Sequence, residues 1–216
     1  MARGSLTTTS YAILGLLAIK PWSTYELTQQ MDRSLGRMWH RAPSKLYEEP
    51  KKLVEHGLAR AAEEQVGRRS RTVYSITAKG RRSLAAWLHE PGAGPVLEFE
   101  QLLKIFFSDS GTKDDALATL DAARTWAADQ SIVAAAVGQQ YVEGGGLFPE
   151  RAAQRNVSVR FLIDFYALVG DWARWAHSIV ETWPDDPRQA SADGALTEEN
   201  MRRAEEAASD HVAPAP

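Results

Sequence analysis

Residues 58–76, LARAAEEQVGRRSRTVYSI, constrain this chain more than any other stretch. Two strand-like runs flank VGRR, and Thr72, Tyr74 and Ile76 alternate along the second, which is the period of a pleated strand. The spacing predicts a hairpin of LARAAEEQ and SRTVYSI across a turn carrying Gly67, Arg68 and Arg69, with Arg71 just beyond. The rest of the chain is either helical in spacing or rich in breakers. The hairpin is therefore a small appendage on a helical body.

Three short helices precede it. SYAILGLLAI is nearly all apolar and ends at Lys20-Pro21, because a residue before proline is pushed out of the helical region. Ser23 and Glu26 have the spacing of a capping box, and Leu27, Met31 and Leu35 follow at helical steps until Gly36. The third helix lies in RAPSKLYEEPKKLVEHG, residues 41–57, with four Lys/Arg, one histidine and three carboxylates around an apolar stripe of Leu46, Leu53 and Val54. Ser44, Lys45, Glu48, Lys51, Lys52 and Glu55 fall on the opposite face, and Gly57 stands where a left-handed cap belongs. Pro50 cannot donate to the carbonyl of Leu46, an interior defect costing about 3 kcal/mol, so a kink or an irregular first turn is expected. After the hairpin, Thr77 caps a fourth helix whose Leu84, Trp87 and Leu88 are expected to face inward. Three helices, a hairpin with a cationic tip and a further helix make a winged helix-turn-helix.

HEPGAGP, residues 89–95, breaks the pattern and predicts a domain boundary. Beyond it the spacing predicts a short helix in VLEFEQLLKIFF, a long one over residues 112–142, an interruption at GGGLFP, and another long helix over residues 151–182. Leu162, Phe165, Tyr166, Val169, Trp172, Trp175 and Ile179 line that last helix. From Pro184 the composition turns to Asp, Pro, Ala, Ser and Glu, which predicts a flexible acidic tail with a marginal helix at TEENMRRAEEAA. The expected fold class is mostly α with a small β-hairpin wing: a winged helix-turn-helix over residues 1–90, a helical dimerisation domain over 91–183 that also offers an effector site, and a tail over 184–216.

The net charge of −3 hides a division. Residues 1–90 carry 15 Lys/Arg against 8 Asp/Glu, a balance of +7, whereas residues 91–216 carry 10 against 20, a balance of −10. Only the first part is suited to a polyanion. The absence of cysteine excludes disulfides and thiolate metal sites and fits a reducing cytoplasm. MARGSLTTTS lacks the apolar run of a signal peptide, and the longest apolar run, Tyr11 to Ile19, is far too short to span a bilayer. Enzymatic readings find no footing. The five histidines form no i, i+4 pair, and neither a phosphate-binding glycine loop with lysine nor a nucleophile elbow is present. No metal or cofactor is expected.

AILGLL, STYEL, SKLYEEPKKLVEHGLA, RTVYSITAKGR and EFEQLLKIFF, in that order, resemble the PadR family of bacterial transcriptional regulators over residues 7–182. A helical C-terminal domain opening on LLKIFF argues against the MarR family, whose dimer helices flank the DNA-binding domain on both sides. The resemblance implies a homodimer held by C-terminal helices, a palindromic DNA operator, usually repression, and release by small apolar or aromatic compounds. By position it places Tyr25 at the family's helix-two tyrosine, Ser44, Lys45 and Tyr47 at the start of the recognition helix, and Gly67 to Arg71 in the wing.

A helix fits the major groove and reads it with its N-terminal residues. Ser44, Lys45 and Glu48 offer a hydroxyl, a cation for guanine and an acceptor for cytosine, while Lys51, Lys52 and Arg41 suit phosphates. Arg68, Arg69 and Arg71 suit phosphates or a narrow minor groove. Glu49 and Glu55 would repel phosphate, so they are expected to face away. Tyr25 and Tyr47 are divided between packing and contact. Trp126, Phe165, Trp172 and Trp175 on the two long helices offer rings for a planar effector, or else simply bury at a dimer interface. Two other functions remain open at this point: a winged-helix protein-interaction module, and a small-molecule sensor without an operator.

Overall fold

The computed structural model describes residues 5–39, 43–67, 69–191 and 193–212, with backbone alone at 43–45, 66, 69 and 210–212. The chain divides into two units, Met1–Val96 and Leu97–Pro216.

In the first unit, α1 spans Thr8–Ile19 and ends at an extended Lys20. β1 is the two-residue strand Trp22–Ser23, followed by α2 over Thr24–Gln30. Ser23 and Glu26 close the expected capping box. The helix then widens into a π-turn over Met31–Leu35, a form that recurs at functional sites. Gly36, where the helical steps end, has a right-handed backbone. Its glycine is required by space: a Cβ there would lie 2.6 Å from the carbonyl oxygen of Asp32.

α3, Pro43–Glu55, runs unbroken through Pro50, whose ring is fully buried. Leu46, Pro50 and Leu53 thus form the inner face, which joins Ile13, Leu14 and Leu17 of α1 and Leu27 of α2 in the core. Gly57 closes the helix at φ 70°, as the pattern required. β2, Ala59–Val66, and β3, Arg69–Ile76, pair antiparallel about Gly67 (φ 62°), with Val66 opposite Arg69 and Glu64 opposite Arg71. β1 adds to the far edge of β3, Trp22 facing Tyr74. That extra neighbour buries both Val73 and Tyr74, so the expected one-sided alternation along β3 is lost. α4, Ala78–His89, is capped by Thr77, but only Leu84 of its three expected core residues is half-buried. Trp87 and Leu88 are exposed, and Trp87 stacks flat on Tyr11 at 5.0 Å instead.

The second unit is helical. α5 spans Glu100–Phe106, later than its apolar run begins, because Phe99 is turned edge-on to Trp172 at 5.5 Å. α6, Lys113–Val142, starts with a Thr112–Asp115 capping box, and α7 covers Ala152–Val180. Lys113 Nζ donates to the carbonyls of Glu181 and Trp183, tying the start of α6 to the end of α7. The α6–α7 seam is built of small residues: Ala116, Leu120, Ala123 and Ala127 meet Val169, Gly170, Ala173, Ala176 and Val180. This corrects the expected stripe on α7. Tyr166 and Val169 are buried, Phe165, Trp172 and Ile179 only half so, and Trp175 is exposed. α8, Gly194–Val212, is a helix longer than TEENMRRAEEAA, and its described side chains are almost all exposed. No described helix is long and apolar enough to cross a membrane.

Candidate nucleic-acid interface

The inner and outer faces of α3 separate cleanly. Opposite Leu46, Pro50 and Leu53, the side chains of Tyr47, Glu48, Lys51 and Glu55 are exposed. Glu49 is turned inward, where its Oε2 accepts from the Ser10 hydroxyl at 2.5 Å and its Oε1 lies 3.6 Å from Lys52 Nζ. Glu49 is thereby withdrawn from the outer face, as expected. Glu55, expected to face away as well, instead stays exposed on the outer face. Tyr47 is not core filler, since 45% of it is open to solvent. Tyr25 on α2 is likewise exposed, and its hydroxyl oxygen accepts from Gln29 Nε2 at 2.7 Å.

Arg41 and Arg68 lie outside the described residues, as do the side chains of Ser44, Lys45 and Arg69. The backbone of Ser44 and Lys45 opens α3, and Arg69 begins β3 beside the turn.

Arg71 has partners that the sequence reading did not foresee. Its guanidinium bridges Glu26 Oε1 at 3.3 Å and Glu64 Oε2 at 3.2 Å, joining the cap of α2 to both strands of the wing. The other oxygen of Glu26 accepts from the backbone and hydroxyl of Ser23, both at 2.7 Å. These two bonds to Ser23, with Arg71 and Lys20 adding to them, hold the Glu26 carboxyl below the ordinary carboxylate range against the opposing effect of burial. Glu63 accepts from Ser70 and Thr72 across the strands, which lowers its pKa in the same way. This part of the wing therefore sets three carboxylates, Glu26, Glu63 and Glu64, around one guanidinium, so Arg71 is engaged and not free. A signal for this was present: counting pairs back from a two-residue turn sets Glu64 against Arg71 and Glu63 against Thr72.

The four aromatic candidates in the second unit do not form one site. Trp126 and Phe165 meet edge-on at 6.3 Å, with Tyr166 at 5.7 Å from Trp126. Trp172 belongs instead with Phe99, against the cluster of Ala116, Leu120, Ala176 and Val180. A groove of about 900 Å³ lies elsewhere, between α5 and the first half of α6, lined by Leu103, Phe107, Ala116, Thr119 and Ala122 among others. None of the four candidates lines it.

Comparison with known proteins adds to this geometry. Residues 13–86 match the model of the "Transcriptional regulator PadR-like family". The chain is 32% identical over 109 residues to the negative transcriptional regulator PadR of Bacillus subtilis, covering 49% of this chain and 59% of that one. The chain thus spans little more than half the length of that relative. Two solved structures share the fold: B. subtilis PadR in complex with operator DNA (TM-score 0.71) and with p-coumaric acid (TM-score 0.64). Both are 20% identical and are matched over 81% of this chain and 99% of theirs. Residues 13–86, which hold the winged helix from the core of α1 to α4, are thus similar to the PadR-like family of transcriptional regulators.

Proposed function

We propose that the chain is an operator-binding regulator that acts as a homodimer, represses, and is released by a small aromatic ligand. The observation that carries the reading is the outer face of α3, where Tyr47, Glu48 and Lys51 project while Glu49 is folded away. In this reading α3 enters the major groove, with Ser44, Lys45 and Glu48 at base edges and Lys51, Lys52 and Arg41 on phosphates. Tyr25 and Tyr47 contact the backbone beside it, and Arg68 and Arg69 at the wing tip lie on phosphates or in the minor groove. Arg71 exchanges Glu26 and Glu64 for a phosphate. The swap costs little, because exposed ion pairs are worth about 0–1 kcal/mol.

Residues 1–90 read DNA, residues 91–183 pair the two copies, and residues 184–216 form the tail. Pairing is supported by a second row on α7, beside the one buried on α6. Phe161, Phe165, Leu168, Trp172, Trp175 and Ile179 follow steps of four and three, the spacing of a coiled-coil seam. Phe161 and Leu168 in this row are 63% and 64% exposed. Two readers so joined would meet half-sites about 34–36 Å apart, which makes the operator palindromic. Repression is supported by the name of the curated relative, and an aromatic ligand by the p-coumaric acid complex of B. subtilis PadR. The edge-on group of Trp126 and Phe165 is the proposed contact, with Trp172 and Trp175 further along α7.

The test is fluorescence anisotropy on the duplex upstream of the chain's own gene, read against salt. Arg68→Ala with Arg69→Ala removes four arginines per dimer and should flatten the log–log salt slope by about 3.6. An unchanged slope removes the wing from the interface. No binding to any duplex in dilute buffer would sink the reading, in favour of a protein-interaction module or a DNA-independent sensor.

A further inference from the structure

The first turn of α1 does more than cap its own helix. Ser10 and Thr7 form a capping box, the Ser10 oxygen accepting from the Thr7 amide at 2.9 Å. Ser10 is fully buried, and its hydroxyl donates to Glu49 on α3, 39 positions along the chain. One residue earlier, Thr9 Oγ1 accepts from Trp39 Nε1 at 3.0 Å. Two consecutive residues of α1 therefore hold the segment that leads into α3 and the middle of α3 itself.

Resting on the DNA-reading function above, we propose that Ser10 and Glu49 are positioning residues: a polar latch that sets the rotation of α3 about its axis and so the register in which its outer residues meet base edges. The apolar contacts of Leu46, Pro50 and Leu53 bury area but have no direction. Side chains reach about 5–6 Å from a helix axis, so a turn of about 20° carries their tips about 2 Å. Base-edge hydrogen bonds tolerate only a few tenths of an ångström around 2.7–3.2 Å. A short, charge-assisted bond supplies the direction that packing lacks.

The choice of residue points the same way. A leucine at position 49 would extend the apolar face without the cost of withdrawing a carboxylate that is half-buried and 3.6 Å from Lys52. Withdrawn, paired charge is best attested as a device for register. Glu49 also directly precedes Pro50, where the helix has lost one backbone donor. The latch thus sits at the point where α3 is least able to hold its own geometry.

The experiment uses the full chain and an operator recovered by selection from random duplexes. Operator and scrambled duplex are titrated with wild type, Ser10→Ala, Glu49→Ala, Glu49→Gln and Glu49→Leu, under conditions where circular dichroism shows each variant folded. Ser10→Ala, Glu49→Ala and Glu49→Leu should lower the operator-to-scrambled affinity ratio by about tenfold or more. Glu49→Gln keeps an acceptor for Ser10 and should stay within about threefold of wild type. Glu49→Leu guards against loss of fold, since it removes the latch while restoring apolar packing. If it discriminates like wild type, or if Ser10→Ala and Glu49→Ala lower only the melting temperature, the latch is structural and the proposal is overturned. If wild type enriches no duplex at all, the DNA reading fails first, and the two failures are thereby told apart.

Discussion

α3 and α7 are both amphipathic helices, yet they leave opposite things exposed. α3 buries large apolar residues and one latched carboxylate, and shows solvent Tyr47, Glu48, Lys51 and Glu55. α7 buries Gly170, Ala173 and Ala176 together with Tyr166, Val169 and Val180, and leaves Phe161, Trp175 and Leu168 on its open side. A surface like that of α3 is complete in water and suits a polar, charged partner. A row of exposed apolar side chains at coiled-coil spacing is incomplete in water and suits a second apolar surface. One chain thus carries two unlike faces, and under the proposed function changing either should affect a different measurement.

The largest effect is expected on α7. Phe161→Glu with Leu168→Glu puts two carboxylates into the exposed row while removing nothing from the α6 seam. Each unpaired charge buried at an interface costs several kcal/mol, so self-association should weaken at least about 100-fold. Sedimentation equilibrium should find dimers of wild type and monomers of the variant, with helical content unchanged by circular dichroism. A double variant that stays dimeric would show that the row faces something other than a second copy.

Glycine sharpens the contrast in packing. At Gly80 a Cβ would fall 2.1 Å from the carbonyl oxygen of Leu58, so the start of α4 must shift to admit one. Gly80→Ala should therefore destabilise by about 2–3 kcal/mol. At Gly170 the nearest atom is the Ala127 Cβ at 3.5 Å, an ordinary contact. Gly170→Ala should change stability by less than about 1 kcal/mol, in the stabilising direction, because alanine is the better helix former. Urea titrations followed by circular dichroism separate the two. Equal midpoints would mean that α4 does not approach Leu58 so closely in solution.

What was legible in the sequence was local. The Ser23–Glu26 box, the Thr77 cap, Gly57 in the left-handed region and the hairpin turn all depend on residues within four positions of one another. The features missed depend on partners that spacing does not name. β1 is only two residues long and exists through its pairing with β3. The bond from Ser10 to Glu49 crosses 39 positions. On α7 spacing found Tyr166 and Val169 but favoured large side chains, and so passed over Gly170, Ala173 and Ala176, which are small enough to let two helices approach. Of the proposed DNA contacts, the exposure of Tyr25 and Tyr47 could not be read from periodicity, because a tyrosine fits either face.

The smallest expected effect returns to the wing, where Glu26 holds Arg71. Its carboxyl titrates below the ordinary range in the folded chain, chiefly through the two Ser23 bonds. A depressed folded pKa contributes stability above the unfolded value and loses it as pH falls through the folded one. Glu26→Gln should therefore be less stable than wild type near pH 7, by under about 1 kcal/mol because the group is well solvated, and the gap should close as pH falls from about 5 toward 3. Urea midpoints at several pH values read this directly. The same variant leaves Arg71 with Glu64 alone, so duplex binding at low salt should tighten slightly while stability drops. A variant that lost stability and affinity together would place Glu26 among the supports of the interface, and not among the competitors for its arginine.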